Sequence, residues 1–596
     1  MNQKKSIPVA VKVIFIILGI LIAVVLIGAL WLSQHYKSVI KQQLPQVVAR
    51  TGKGKYKSAL GDVSINILTR KISFHHFSIW YDSTKQQKRP ELTFNINIPH
   101  LYISGINWAV LLQEQRIDCA MVLLDQPDIR MIQVKDTSAD IKEAADSSVK
   151  NAFPASIHIA EIRLVQSRLN FDRRSPQLPG YTIKHATVSL YDWFLNLQKK
   201  EKDSTRLLYA RQVSLLCDSI SFKNKNGLYT FTVDTFATDT RNRSLQLSNF
   251  RIRTTVSKKE LYREIGHQTD IFNVTFRDVR MSGFDLRNVV YRHSVIADSM
   301  FLNKGAVDDY FSRLPPVNPA SKLGKFPNQL LLKLPLTVNI PYTKVTNGHA
   351  SYTEINEETE LPGALKFDAL SGFVTNITND SAVIAKSPRC VLDLQGKFNK
   401  DADIHGRFTF LLNDTTGVFS VDGRLSNAHE QQVSAPAKAL AKAEVSTVNV
   451  QELSMKIDGD QHQARGNTVF RYSDLALSVQ KIDDNGKMKD RPLLSFLANK
   501  VLLFPANPMP GKDLRTVSTQ VRRDPNKSFF NLIWRNIFEG IKATAIRNKD
   551  LADAVGKGNA KQKEVAPKDD KKNDGRKKDD KTSSEKTAAP AGKQKK

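Results

Sequence analysis

Apolar and polar residues alternate through most of the chain. "LTFNINI" sets Leu92, Phe94, Ile96 and Ile98 on one side of an extended segment. "LYTFTV" does the same with Tyr229, Phe231 and Val233, "RFTFLL" with Phe408, Phe410 and Leu412, and "ELSMKI" with Leu453, Met455 and Ile457. Side chains on a strand point to opposite faces in turn, so each segment predicts a strand with one apolar and one polar face. Strands of this kind suit an antiparallel sheet wetted on one side. The dipeptides Asn226-Gly227, Asn347-Gly348, Asp422-Gly423 and Asp458-Gly459 are expected to mark turns between them.

The alternation slips by one residue in a recurring way. In "ISFHHFSIW" Ile72 and Phe74 are followed by Phe77 and Ile79. Ile157 and Ile159 lead to Ile162 and Leu164, Leu245 and Leu247 to Phe250 and Ile252, Val274 and Phe276 to Val279 and Met281. A strict strand would turn its apolar face over at each slip, whereas a β-bulge or sharp bend restores the facing. The repeated unit is therefore strand, kink, strand, and its repetition predicts a long sheet that curls along its length. His75 and His76 are adjacent on such a strand and point to opposite faces. With no further ligand pair nearby, they read as strand-surface histidines and not as a metal site.

Several stretches interrupt the β pattern. Residues 136–156 are polar and helix-prone, and read as a loop or insertion. Ser257-x-x-Glu260 is a capping-box spacing that predicts a short helix over 258–265. Residues 311–327 are proline-rich and read as a linker or crossover, and residues 428–446 as a mobile loop or helical excursion. A soft boundary falls near 315–330, dividing the body into a first part over 33–315 and a second over 330–490.

Helical periodicity returns at the C-terminal end, over 491–546. Leu493, Leu494, Leu497 and Val501 share one helical face. Over 524–546, Asp524 is expected to cap and Pro525 to open a helix. Its apolar stripe is Phe529, Ile533, Ile537 and Ile541, widened by Phe530, Trp534 and Phe538. Such a helix either caps the end of the sheet or lies on a membrane or partner protein. Residues 557–596 are Lys, Asp, Ala and Ser with few large apolar side chains, the composition of a disordered basic tail.

At the N-terminal end, Val13 to Leu32 is a run of twenty residues without a charge, preceded by Lys4, Lys5 and Lys12. At about 1.5 Å per residue it matches the hydrocarbon thickness of a bilayer, roughly 30 Å. It is longer than the apolar region of a cleaved signal peptide and lacks a small-x-small site. The expectation is a single transmembrane anchor over 13–32, with residues 1–12 in the cytoplasm and the long body outside it.

Composition narrows the partners. The net charge of +29 favours anionic surfaces in general. Nucleic acid is not expected, since the basic tail carries no interleaved aromatics for base stacking. Cys119, Cys217 and Cys390 are far apart and form no C-x-x-C. The chain has no phosphate-binding glycine loop, no G-x-S-x-G and no H-E-x-x-H. Asp308–Asp309 and Asp483–Asp484 read as turns. The chemistry-bearing residues thus point to no enzyme, no metal and no cofactor.

The order of anchor, "K-x-x-L-P-x-x-V" helix (Lys41 to Val48), and slipped strand pair in "TGKGKYKSALGDVSINILTRKISFHHFSIW" resembles the AsmA-like proteins of bacterial envelopes. "KLPLTVNIPYTKVTNGHASYTEINE" (333–357) and "LPGALKFDALSGFVTNITN" (361–379) look like the second half of such proteins. The family is similar to TamB and the bridge-like lipid-transfer proteins. The resemblance implies a mainly β fold: an N-terminal transmembrane helix, then an elongated, curled antiparallel sheet whose apolar face forms a groove. It implies a protein of the bacterial inner membrane, its body in the periplasm, that guides phospholipids or other acyl-chain lipids for outer-membrane biogenesis, with an outer-membrane assembly partner. The lining would come from Ile72, Phe74, Phe94, Ile96, Ile98, Ile157, Ile159, Val274, Phe276, Phe408 and Phe410. The rival reading is a non-transporting envelope scaffold with a filled sheet.

Overall fold

The computed structural model describes residues 41–547, apart from 85–91, 134–155, 174–180, 197–204, 483–487, 491–501 and isolated shorter gaps. The expected anchor, the N-terminal tail, most of the 136–156 insertion, the first C-terminal helix and the basic tail lie outside the described residues. Among the described residues, no helix is long and apolar enough to cross a membrane.

The fold is mainly β, with 61% strand and 16% helix, and 23 strands share one long curled sheet. In spatial order it begins with β1 (Tyr56–Asn66), β2 (Lys71–Tyr81) and β3 (Leu92–Ser104). A broken track, β4 (Ile117–Asp125) with β5 (Asp128–Gln133), leads to β6 (Ser156–Arg173) and β7 (Tyr181–Asn196). Two more broken tracks follow: β8 (Ala210–Cys217) with β9 (Ser219–Lys223), and β10 (Tyr229–Val233) with β11 (Thr235–Asp239). Next come β12 (Ser244–Thr254), β13 (Asp270–Ser282), the track of β14 (Ser294–Ile296) and β15 (Ser299–Ser312), β16 (Thr337–Ile355) and β17 (Pro362–Thr378). The last run is β18 (Arg389–Phe398), β19 (Ala402–Leu411), β20 (Phe419–His429), β21 (Glu444–Gly459) and β22 (Gln463–Ser478). The short strands β23 (Gln480–Ile482) and β24 (Met488–Asp490) pair only with each other, and β25 (Thr516–Arg522) pairs with β22 at the far edge.

The sheet is mixed, and the expected purely antiparallel order is corrected at two joints. β4 and β5 run parallel to β6, and β14 and β15 parallel to β16. A parallel pair needs a crossover from the end of one strand to the start of the next. The proline-rich segment after β15 is such a crossover, and the sheet runs without interruption across 315–330.

The slips have a common structural origin. From β1 to β17 every track is interrupted at a corresponding place, so the interruptions line up as one crease across the sheet. His76 of β2 has φ 55° and is skipped in the ladders, facing Gly61 of β1 and Pro99 of β3. The crease continues through Gln126, Gln166 and His185, all left-handed. It then passes the breaks at Asp218 and Asp234, Asn249 of β12, and the skipped Arg277 of β13. Lys304, Asn347 and Ala369, with φ 51°, 52° and 51°, carry it into β17. Three of the four sequence slips lie on this line. The fourth, between Ile159 and Ile162, marks a shorter crease opposite Asp192 of β7. Aligned bulges bend the sheet and keep its apolar side facing one way.

Two expected turns are not turns. Asn347-Gly348 lies inside β16 as part of the crease, and Asp422-Gly423 lies mid-strand in β20, opposite Lys456 and Met455. Asn226-Gly227 does turn between β9 and β10, and Asp458-Gly459 leads into the turn before β22.

Among the described residues, helices flank the sheet at α1 (Trp108–Glu114), α2 (Lys258–Ile265), α3 (Leu286–Arg292), α4 (Pro327–Leu332), α5 (Ser381–Lys386), α6 (Glu430–Ala441) and α7 (Phe529–Ala545). The capping box at Ser257 and Glu260 forms as the sequence predicts. The 428–446 segment resolves as helical excursion α6. In α7 the cap is Ser528, whose Oγ accepts from the Asn531 amide, while Asp524 accepts from the Asn526 amide in the preceding turn.

Candidate functional site

The apolar side of the sheet, traced strand to strand through directly opposed pairs, forms three zones. In the first zone, β1 to β8, it is closed. Ile72, Phe74, Ile157 and Ile159 are at most 1% exposed, and Phe94, Ile96 and Ile98 at most 7%. They share one core with Trp193, Leu207, Leu111 of α1, and the helical residues Leu44 and Val48. These seven residues, expected to line an open groove, instead pack on one another and on covering segments. A bulge also draws His75 toward His100, with Nδ1 atoms 3.0 Å apart, and His76 faces the same ring. The left-handed His76 backbone defeats the simple alternation that would separate the two. Among the described residues no group of three metal-ligating side chains occurs.

The third zone, β18 to β25, is covered by α7 and the crossover. The Phe529 ring sits 5.6 Å from Phe410, 6.4 Å from Phe408 and 4.9 Å from both Phe326 and Phe419. Phe408 and Phe410 therefore meet a helix, not an open trough. The buried side of α7 differs from the expected stripe. It runs through Phe529, Leu532, Ile533, Asn536, Gly540 and Thr544, leaving Ile537 and Ile541 half-buried at its margin. Asn536 accepts from Thr519 Oγ1 at 2.9 Å and donates to the Ala464 carbonyl at 3.3 Å, satisfying a buried amide. Gly540 lets the helix approach β22: a Cβ there would stand 2.3 Å from Thr468 Oγ1. Trp534 stacks on Phe538 at 6.1 Å, and Phe530 is exposed.

Between these zones the apolar side stays partly open. One cross-strand file runs Phe222–Phe231–Ile252–Val274–Val307–Ala350–Phe367–Phe398, each residue directly opposite the next, from β9 to β18. At about 4.8 Å per strand it extends about 34 Å. Phe222 and Val307 are each 37% exposed, Phe231, Ile252, Val274, Ala350 and Phe367 are half-buried, and Phe398, at the far end, is buried in the core of the third zone. A second file lies beside it, with Phe250 stacked 6.5 Å from Phe276. Gly305, opposite Phe276, leaves room for that ring, since a Cβ would meet it at 2.7 Å. The same strands are polar on the other face, where the opposed row reads Ser221–Thr232–Arg251–Thr275–Ala306–His349. Arg251 there pairs with Asp234 at 2.6 Å. Of the expected lining residues, Val274 and Phe276 stand in this open zone.

Just beyond Val274 and Val307, the open zone ends in charge. The next positions of the ladder are Asp309 and Tyr352, then Asp270, Phe311 and Glu354. Lys322 of the crossover pairs with Asp270 at 2.7 Å, and Arg313 pairs with Glu354. The Tyr352 hydroxyl donates to Glu354 Oε2 at 2.5 Å, and burial pushes that hydroxyl far above its usual range. Burial, reinforced by Asp270 and offset by Lys322, pushes the Asp309 carboxyl up to about 7, and its buried Oδ1 has no hydrogen-bond partner. Asp308 and Asp309 thus sit inside β15 and not in a turn. A cavity between this cluster and Lys527, Ser528 and Asn531 at the start of α7 adjoins it. The missed signal is Val307-x-Asp309-x-Phe311, an acidic residue on the apolar phase of a strand.

Cys119, Cys217 and Cys390 are free and buried, and burial raises the pKa of each, to about 12, 11 and 11. None of them is a ready nucleophile. No protein-family model matches the chain, and no curated protein matches its sequence.

Proposed function

We propose that the open middle of the sheet holds the hydrocarbon chains of phospholipids or similar lipids, in an AsmA-like protein of the bacterial envelope. The observation that carries this reading is the file that starts at Phe222, apolar and half-open on one face as far as Phe367 while the facing row is polar. Removing a methylene from water contributes about 0.8 kcal/mol, and the open extent from Phe222 to Phe367, about 29 Å, is comparable with the hydrocarbon thickness of a bilayer. The charged cluster at one margin, Asp309, Tyr352, Glu354 and Lys322, suits a polar head group beside an apolar chain. The file offers a chain apolar contacts on each successive strand, so movement along it needs no catalytic group and no cofactor. In this reading Val13 to Leu32 anchors the protein in the inner membrane, the sheet stands in the periplasm, and lipid is handed toward an outer-membrane assembly partner.

The test is photocrosslinking of the full chain in its membrane. A benzophenone side chain at Phe231 or Phe276 should capture lipid, detected by mass spectrometry of the adduct. The same group at Thr275, on the polar face, should not. Equal yields at both faces would end the proposal. A second reading, a structural scaffold, is favoured by the filled zones at both ends; it predicts no lipid adduct at either position.

A further inference from the structure

The crossover between β15 and β16 has a composition and an exposure of its own. From Arg313 to Leu336 it carries Arg313, Lys322, Lys325 and Lys333 and no Asp or Glu. Its apolar residues are divided. Phe326 is fully buried against Phe419 and Phe529, and Leu331 and Leu332 pack toward Val374 and Ile377. Leu314, Val317, Leu323, Leu330 and Leu334 face outward, at 52%, 62%, 39%, 51% and 43% exposure. Phe530, on the helix turn beside Phe529, is 62% exposed. Leaving this many large apolar side chains in water on one segment is unfavourable unless something covers them.

The segment is held in place. Lys333 donates to the Gly324 carbonyl at 2.6 Å and folds the α4 end back toward Leu323. The Lys322 amide donates to the Pro525 carbonyl, and Arg523 donates to the Lys322 carbonyl at 2.8 Å. Gln329 donates to the Thr415 carbonyl and to Gln461. Pro315, Pro316, Pro319 and Pro327 restrict the backbone between these contacts. Val317 reaches the same cavity as Lys527 and Asn531, at the start of the helix that carries Phe530. The carboxylates of the adjoining turns, Asp414, Asp460 and Asp524, each accept from amides of their own loops. Lys325 and Lys333 are exposed beside the outward leucines.

The geometry points to a membrane-docking surface: the crossover, with Phe530, seats Leu314, Val317, Leu323, Leu330 and Leu334 in the interfacial layer of an anionic lipid bilayer. Lys325 and Lys333 meet the phosphates. Leucine interleaved with lysine and free of acid within the segment is the chemistry of an interfacial anchor, and a proline-braced segment loses little entropy on docking. The crossover spans the apolar side of the sheet between β15 and β16, so docking brings a bilayer to the margin of the open file. The inference stands on the crossover's own exposure and charge, and survives if the file holds no lipid.

The experiment labels the full chain at single introduced cysteines with an environment-sensitive fluorophore; the three native cysteines are buried. The protein is reconstituted in phosphatidylcholine vesicles, and a second population of phosphatidylglycerol-containing vesicles with nitroxide on the acyl chains is added. Labels at Leu330→Cys and Leu323→Cys should shift to the blue and lose most of their emission. A label at Lys344→Cys, exposed on the polar face, should not. Lys325→Glu with Lys333→Glu should weaken the response about tenfold or more, as should replacing phosphatidylglycerol with phosphatidylcholine. Quenching at Leu330 no greater than at Lys344 overturns the inference. So does a Leu330 label that responds to protein concentration without added vesicles, which would assign the surface to a second copy of the chain. Lipid adducts at Phe231 are a separate readout, so failure of one proposal is distinguishable from failure of the other.

Discussion

The first eight strands and the middle of the sheet are written in the same alternating pattern, yet Phe74 is 1% exposed while Phe222 is 37% exposed. Both belong to strands with apolar residues on every second position, and both strands lie on tracks that the same crease crosses. The difference lies in what stands over them. Over β1 to β8 the curled sheet meets itself and gains Leu44, Val48, Leu111 and Leu207. Over β9 to β15 the helices sit toward the strand ends. α3 covers the Leu245 and Met281 end, α2 packs Leu261 and Tyr262 against Ile271, and the strip between them stays open. An apolar strand face therefore becomes a core or a surface according to the elements brought over it.

Core substitutions should separate the two regions most. Phe74→Ala removes a fully buried ring and should cost about 3–5 kcal/mol of stability. Phe276→Ala, on the half-open file, should cost about 1–2 kcal/mol. Chemical denaturation of the two variants reads the contrast, and equal losses would break it. At the C-terminal end, Gly540→Leu forces side-chain atoms into Thr468 and should cost about 1–3 kcal/mol. Limited proteolysis should then cut near residues 523–528 more readily as α7 lifts. An unchanged digestion pattern would mean that α7 does not depend on this close approach.

A smaller effect sharpens the middle zone itself. Val274→Asp should lower lipid adducts at Phe231 several-fold while Thr275→Asp, one residue away on the other face, leaves them unchanged. Matching losses would show that the file is not the binding surface.

The smallest effect concerns the charged margin. Asp309 titrates near its ordinary value of 3.8 when unfolded and near 7 when folded. Between those values the folded state holds a proton that the unfolded state has lost. Its contribution therefore becomes less favourable as pH rises from about 4 to about 7, and is constant above that. Asp309→Asn should raise the melting temperature by a few degrees at pH 8, with little change at pH 4, and flatten the slope between. A slope identical to that of the parent would remove Asp309 from the account.

Several of these features are legible in the chain and others are not. The slips at Phe74–Phe77, Leu247–Phe250 and Phe276–Val279 each fall on a ladder interruption, because a side chain that must keep facing a core leaves a local mark in the alternation. Asn347-Gly348 and Asp422-Gly423 mislead because the same residues serve in tight turns and in strands where backbone or side chains approach closely. Asp524-Pro525 looks like a helix start, but the side-chain oxygen that accepts from the Asn531 amide belongs to Ser528. Asp308–Asp309 looks like a turn until the strand phase of Val307 and Phe311 is counted. The parallel joints leave little local trace, since strand direction depends on where the connecting segment travels and not on the strand's own residues.

By itself, the sequence determined the strands, their apolar sides, the kinks that keep those sides facing together, and a short capped helix at Lys258–Ile265. All follow from neighbours within a few residues, where side-chain period and backbone preference act. Only the tertiary structure decided which apolar stretches are closed. Phe408 is covered by Phe529, Phe419 by Phe326, and Ile72 shares a core with Trp193, across separations of roughly a hundred residues that no local pattern encodes. Burial is a property of two surfaces, and each strand carries only one of them.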